Sequence, residues 1–270
     1  MTAIAVTGAS EARFIGMKPI PRNHEKRRFA AAPAADPDAP VWLWGQHAVE
    51  AAIANENRQI VRCVATENAA RRTGFSHFEF MDPKALDKLL PPGAVHQGLA
   101  VKTAPLEPAA LEDVIAGPEA PLRLCVLDQV TDPHNLGAIF RSAAAFGVGG
   151  LILQTRHTPP VTGVAAKAAA GAIETVPEIR VVNIARALGH LAEAGYHTVG
   201  LAGEGTETVA DAVSGAGRVA FVMGAEGSGL RPAVAKACAT LARIPMAPGM
   251  ESLNVSNAAA IAFYESYRET

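Results

Sequence analysis

Cysteine is one of the scarcest residues in this chain of 270 residues, which contains three. Cys63, Cys125 and Cys238 are too far apart to form a C-x-x-C pair, and the first two lie in runs typical of strands. Such thiols behave as small buried hydrophobic residues in a reducing compartment. The eight histidines show no metal-ligand spacing. We therefore expect no metal.

The chain also lacks long apolar runs and an excess of charge of either sign. No run approaches the roughly 20 residues that span a bilayer, and the first residues contain no secretory hydrophobic segment. This pattern argues against a membrane protein and predicts a cytoplasmic one. Lys and Arg number 24 and Asp and Glu 26, for a net charge of -2. A nucleic-acid partner stays possible, because affinity depends on a local basic patch.

Composition divides the chain into four parts. Residues 1–40 combine a basic cluster with a Pro/Ala tract that cannot bury much surface, which predicts a disordered extension. Residues 41–104 predict a small α/β domain, residues 105–120 a linker, and residues 121–270 a doubly wound parallel sheet. Strands are predicted at 41–44, 59–65, 97–103, 124–130, 150–154, 180–182, 197–201, 219–223 and 240–244. Helices are predicted at 47–54, 83–90, 111–115, 138–146 and 257–267.

Three small polar residues stand where an apolar run turns into the last helix. In an extended backbone Ser252, Asn254 and Ser256 would share one face. A row of this kind favours ligand recognition. The alternative is that Ser256 only caps the helix, a common role for serine.

A second polar group follows the buried strand at 124–130. The turn Thr131 to Gly137 places Asn135 at the entrance of a helix whose apolar stripe includes Leu136 and Phe140. Arg141 is then left on the flank of that helix. A flanking arginine is usually a solvated charge, so this position alone indicates little.

A glycine-rich loop, residues 224–230, follows the strand at 219–223. Open α/β sheets bind ligands at the carboxyl ends of their strands. The loop fits neither phosphate-binding pattern, and its single charge, Glu226, would repel a phosphate. A cofactor with hydroxyls, an adenine and a positive sulfonium fits better, which describes S-adenosylmethionine.

The three segments together resemble the SpoU, or TrmH-like, branch of the SPOUT ribose 2′-O-methyltransferases. They are residues 132–141, 222–229 and 244–256, and they occur in the order of the family motifs. The resemblance extends from about Val41 to Tyr267. The segments His96–Ala100 and Lys167–Pro177 are similar to a subgroup that methylates a guanosine ribose in large-subunit ribosomal RNA.

The resemblance implies a set of site residues and an architecture. The implied catalytic and substrate-positioning residues are Asn135, Arg141, Glu226, Ser252 and Asn254. The implied cofactor contacts are Gly224, Ile244 and Leu253. It also implies a C-terminal trefoil knot, an RNA-binding role for residues 41–104, and a homodimer that completes each active site.

The implied reaction is transfer of a methyl group from S-adenosylmethionine to a ribose 2′-oxygen. A guanidinium stays protonated in proteins, so we expect Arg141 to hold a phosphate or to stabilise the developing alkoxide, with another group accepting the proton. Glu226 is expected to fix the loop or Arg141. Two alternatives stay open: a transfer-RNA ribose methyltransferase, and a non-catalytic RNA-binding or ribosome-assembly factor.

Overall fold

The protein was analysed as a computed structural model that describes residues 39–156, 161–250 and 252–269. The predicted disorder of the amino-terminal extension therefore lies outside the described residues. Two sheets organise the described part of the chain, a small one formed by residues 41–103 and a large one formed by residues 123–243.

The small sheet has four strands in the order β1-β4-β2-β3. Strand β4 is antiparallel to both β1 and β2, whereas β3 pairs with β2 in parallel. Its elements are β1 (Val41–Trp44), α1 (Gln46–Ala54), β2 (Ile60–Ala65), α2 (Glu67–Thr73), β3 (Glu79–Phe80), α3 (Pro83–Asp87) and β4 (Leu99–Thr103).

The large sheet has seven strands in the order β7-β6-β5-β10-β8-β11-β9, and all the neighbouring pairs are parallel. The predicted α/β class with a parallel sheet is confirmed. Its elements are α4 (Leu111–Ile115), β5 (Arg123–Leu127), α5 (Pro133–Ala145), β6 (Leu151–Gln154), α6 (Gly163–Ala169), β7 (Glu178–Val181), α7 (Ile184–Glu193), β8 (His197–Leu201), β9 (Glu207–Thr208), α8 (Val209–Val213), β10 (Val219–Met223), α9 (Pro232–Ala237), β11 (Thr240–Arg243) and α10 (Val255–Arg268). The trefoil knot stays a prediction.

The central strands are apolar on both faces because helices cover both sides of the sheet. One face, with Cys125, Leu127 and Phe221, packs against α5, α6 and α10. The other, with Val126 and Ile152, packs against α7 and α9. No helix in the described ranges is long and apolar enough to cross a membrane.

Capping residues move two helix starts away from their predicted positions. Helix α5 begins at Pro133 and not at Ala138, because the Asp132 side chain accepts hydrogen bonds from the first-turn amides and proline suits that turn. Helix α10 begins at Val255, capped by Asn254. Ser256 lies inside this helix, so the prediction of an extended row through Ser252, Asn254 and Ser256 is wrong, and so is the alternative in which Ser256 caps the helix.

The two sheets are joined by close packing and a buried ion pair. The side chains of Arg58 and Glu174 are each 4% exposed and approach to 2.7 Å, and Asn55 Nδ2 donates to the same carboxylate at 2.8 Å. A Cβ on Gly163 would lie 2.1 Å from the Trp44 ring. The core that holds Cys125 also includes Val101 of the small sheet. Residues 41–103 are thus docked on the large sheet.

Candidate active site

A cavity of about 1010 Å³ lies at the carboxyl ends of β8, β10 and β11. Its walls come from the segment after β8, the glycine-rich loop after β10, and the chain between β11 and α10. The predicted site residues on its walls are Gly224, Glu226, Ile244, Ser252, Leu253 and Asn254. Neither Asn135 nor Arg141 is on these walls.

The glycine-rich loop is closed by its own backbone. Ala225 N donates to Gly229 O at 3.1 Å, and Gly229 N donates to Ala225 O at 2.9 Å. Gly227 and Gly229 have φ of 80° and 66°, values that favour glycine. A Cβ on Gly224 would lie 2.2 Å from the carbonyl carbon of Gly229, so only glycine fits there without movement of the loop.

Three of the predicted catalytic residues form one hydrogen-bonded group. Asn135 Nδ2 and Asn254 Nδ2 each donate to Glu226 Oε1 at 2.8 Å. Asn254 Nδ2 also donates to Asn135 Oδ1 at 2.9 Å. Glu226 therefore fixes the two amides, and of the two roles expected for it, this network supports holding the loop. Asn135 is buried behind the cavity wall, with 7% of its surface exposed.

Asn254 is oriented by a second set of bonds. Its Oδ1 accepts from Ser256 N at 2.9 Å, from Ser256 Oγ at 2.6 Å and from Asn257 N at 3.4 Å. Because Oδ1 is held by these donors, Nδ2 must point towards Glu226 and Asn135. The same side chain thus caps α10 and completes the polar group.

Arg141 is exposed and lies away from this group. It follows Asn135 by six residues on α5, which at about 100° per residue places it about 120° round the helix. In one copy of the chain, the structure therefore does not bring Arg141 together with the other predicted catalytic residues.

The basic side chains of the described residues differ in how firmly they are held. Arg62 is bound by Glu79 of β3 through two hydrogen bonds, at 2.8 and 2.6 Å. Lys167 Nζ donates to Gln97 Oε1 at 2.7 Å between the two sheets, and burial lowers the pKa of this amine. Arg71 and Arg72 are exposed but have partners, Glu67 at 3.7 Å and the carbonyl of Gln97 at 3.3 Å. Exposed side chains are also found at Lys84, Lys88, Arg141 and Arg156.

The cysteines carry no sign of nucleophilic activation. Cys125 is fully buried, and burial raises the pKa of its thiol. Burial, with a smaller effect of the Asp128 charge, raises the pKa of Cys238 to about 11. Within residues 39–156, 161–250 and 252–269, no group of three or more His, Cys, Asp or Glu side chains could hold a metal.

Sequence reasoning missed an ion pair beside the cavity, formed by Asp128 and Arg231. Their side chains approach to 2.6 Å, and that of Asp128 is 0% exposed. The sequence contains a signal for this ion pair, because Asp128 is the one charged residue in the apolar run Leu124 to Val130. An isolated acid buried at the end of a strand requires a charged or hydrogen-bonding partner.

Comparison with known proteins gives consistent results in sequence and in structure. Residues 123–264 match the SpoU rRNA Methylase family. The 23S rRNA (guanosine-2'-O-)-methyltransferase RlmB of Vibrio vulnificus is 40% identical over 242 residues, which cover 84% of this chain and 96% of the relative. The RlmB of Escherichia coli K12 is 44% identical over 180 residues, 66% of this chain and 73% of the relative.

Solved structures show the same fold. An AdoMet-bound rRNA methyltransferase from Sinorhizobium meliloti has a TM-score of 0.71 and 26% identity, covering 85% of this chain and 87% of that chain. AviRb, a SpoU methyltransferase from Streptomyces viridochromogenes, has a TM-score of 0.71 and 24% identity, covering 86% and 90%. Since the family match spans more than half of the chain and is centred on the cavity and its polar group, this protein belongs to the SpoU rRNA methylase family.

Proposed function

We propose that this protein uses S-adenosylmethionine to methylate the ribose 2′-hydroxyl of a guanosine in 23S ribosomal RNA. The observation that carries the proposal is the Asn135–Glu226–Asn254 group beside a glycine-lined cavity, in a chain whose RlmB relatives match along 84% of its length. That match includes the small sheet, which favours ribosomal RNA over the transfer-RNA alternative. The three motifs are intact, which argues against a non-catalytic RNA-binding or ribosome-assembly factor.

The residues of the cavity fit the proposed cofactor. The close approach of Gly224 to Gly229 leaves a backbone cradle, and the walls carry the carboxylates of Glu204 and Glu226 and the apolar side chain of Leu253. The guanidinium of Arg243 is held by the carbonyls of Gly205 and Thr206. Carboxylates suit a sulfonium, an ammonium and ribose hydroxyls, whereas they would repel a phosphate.

In the proposed reaction, the protein mainly aligns the ribose hydroxyl with the methyl group of the cofactor. The bound cofactor supplies a methyl group already activated by its positive sulfur. Glu226 holds the two asparagine amides in place, and we propose that Asn135, Asn254 and Ser252 orient the ribose and the cofactor. Arg141 holds a phosphate or stabilises the alkoxide as the 2′-hydroxyl loses its proton to another acceptor. Gly224, Ile244 and Leu253 contact the cofactor.

We further propose a homodimer in which Arg141 acts at the subunit boundary. Helix α5 exposes Arg141, and α10, which packs on α5, exposes Ile261, Tyr264 and Tyr267 at 37%, 47% and 52%. Large apolar and aromatic side chains with these exposed fractions favour burial against a second copy of the chain, related by a two-fold axis. This arrangement would bring Arg141 to a site that one copy leaves incomplete.

The two sheets support a division of the chain into two domains. We propose that residues 41–104 form a domain that binds the RNA and that residues 121–270 form the methyltransferase domain. Residues 105–120 link the two. We also propose a cytoplasmic location, because ribosomal RNA is the proposed substrate.

Mapping of 2′-O-methyl groups tests the proposal. In total RNA from a strain that lacks the gene, one guanosine of 23S RNA should lose its methyl group, and the purified protein with S-adenosylmethionine should restore it. Loss of a methyl group from a transfer RNA instead would support the alternative, a transfer-RNA ribose methyltransferase. An unchanged map would contradict the enzymatic function.

A further inference from the structure

The carboxylate of Asp128 is committed on both oxygens to a single residue. Oδ2 accepts from the backbone N of Arg231 at 3.0 Å, and Oδ1 accepts from Arg231 Nε at 2.7 Å. Asp128 directly follows β5 and its side chain is fully buried. Arg231 directly follows the glycine-rich loop, residues 224–230. The ion pair therefore anchors the carboxyl end of that loop to the end of β5.

Asp128 also holds the amino end of the glycine-rich loop. Asp128 N donates to the carbonyl of Met223, the residue before Gly224, at 2.7 Å. The Arg231 guanidinium also donates to Gln154 Oε1 at 3.0 Å, and Gln154 Nε2 donates to Val182 O at 3.3 Å. These polar contacts run across the carboxyl ends of β10, β5, β6 and β7.

We infer that Asp128 and Arg231 are positioning residues that hold the glycine-rich loop in its cofactor-binding geometry. The inference rests on the proposed function. A loop with three glycines among its seven residues has high conformational freedom when it is not held, and ordering it on binding would weaken cofactor affinity. The ion pair fixes the loop beforehand. Glu226 has its own partners, Asn135 and Asn254, so loss of the anchor acts on cofactor affinity more than on turnover at saturation.

The test uses Asp128→Asn, Arg231→Gln and Arg231→Lys in the full chain, with Arg58→Lys as a matched control at a buried ion pair in another part of the fold. Affinity for S-adenosylhomocysteine is measured by calorimetry, thermal stability by melting, and turnover on 23S RNA at saturating cofactor. We expect the dissociation constant to rise at least tenfold in Asp128→Asn and Arg231→Gln, and less in Arg231→Lys, which keeps the charge. The control should melt earlier with unchanged affinity.

Amide hydrogen exchange reports on the loop directly. The amides of Ala225 and Gly229 close the loop, so their exchange should accelerate at least tenfold in the anchor variants and stay unchanged in the control. Affinity and exchange within twofold of the wild type would overturn the inference. If Asp128→Asn does not fold, Arg231→Gln decides, with the same criteria. If the wild type itself bound no S-adenosylhomocysteine, the proposed function would be contradicted. That outcome differs from failure of the inference, in which the wild type binds and the variants bind equally well.

Discussion

At the scale of single residues, the side-chain amide of Asn254 connects the cap of α10 to Glu226 and Asn135. Its oxygen holds the start of α10, and its nitrogen holds Glu226 and Asn135. The sequence predicts Asn135 at the entrance of helix α5 and Arg141 on its flank. The structure separates them, because Asn135 is buried in this polar group and Arg141 is exposed. Their substitutions should therefore differ in their effect on stability.

Arg141→Ala should lower methyl transfer by about 100-fold or more, the effect of losing one donor that stabilises developing charge. Its melting temperature should stay close to that of the wild type, since the side chain is exposed. Turnover on 23S RNA and thermal melting measure the two effects. Arg186→Ala, at an exposed position of α7, serves as the control. Near-normal turnover of Arg141→Ala would contradict the proposed role of this residue in methyl transfer.

Asn135→Ala should abolish methyl transfer and also destabilise the protein. The change removes the hydrogen bonds that Asn135 makes to Glu226 and Asn254, and each such bond contributes about 0.5–1.5 kcal/mol to stability. Denaturant unfolding, read against Arg141→Ala, measures the difference. Equal stability of the two variants would show that the polar group is not formed in solution.

At the scale of elements, the loop after β10 owes its shape to glycines in different roles. Gly227 and Gly229 supply left-handed backbone, whereas Gly224 supplies space for the returning chain. The glycine pattern alone predicted a ligand loop. It did not show that the loop closes on itself through Ala225 and Gly229.

Gly224→Ala should raise the dissociation constant for S-adenosylmethionine at least tenfold, because the added Cβ would displace the Gly229 backbone. We expect a loss of about 1–3 kcal/mol of stability, as in other overpacked sites. Gly189→Ala is the control: a Cβ there meets nothing within 4 Å, and alanine in a helix stabilises by up to about 1 kcal/mol. Equal affinities of the two variants for the cofactor would contradict the proposed role of the cradle.

At the scale of the whole molecule, the small sheet is docked on the large one and shares its core. The Arg58–Glu174 pair and the contact of Trp44 with Gly163 fix this docking. Deletion of residues 1–104 would therefore expose part of the core and leave Glu174 without Arg58. The role of the small sheet in RNA binding is better tested by surface substitutions in the intact chain.

Arg58→Ala should destabilise the protein by about 3–5 kcal/mol, because it leaves the buried Glu174 carboxylate without its charged partner. Arg62→Ala should change stability by less than about 1 kcal/mol, since its pair with Glu79 is far more exposed. Urea unfolding of both variants provides the comparison. Similar losses would mean that the docking is not held by the buried pair.

Ile261→Asp should convert the proposed dimer into monomers that do not methylate RNA. Ile261 is 37% exposed on α10, so the change should disturb the monomer little, whereas a carboxylate in an apolar interface is strongly unfavourable. Light scattering at micromolar concentration measures the mass. Val182→Asp, at a more exposed apolar residue, should stay dimeric. A wild-type monomer with full activity would refute the proposal.

The sequence by itself determined the features that depend on near neighbours. The predicted strands at 41–44, 197–201 and 219–223 match the structure at every residue, because apolar runs between turn residues are a local signal. The ends of helices were harder. Helix α3 ends at Asp87 and not at Leu90, and the starts of α5 and α10 depend on which side chain accepts from the first-turn amides.

Only the tertiary structure decided which distant residues meet. Asn135 lies 91 residues from Glu226 and 119 from Asn254, and these three come together because the strand order places β5 beside β10 and because α10 packs against α5. The Asp128–Arg231 anchor and the exposure of Arg141 have the same origin. Strand order and helix packing are set by how apolar faces are buried across the whole chain, a long-range property that a local pattern does not contain.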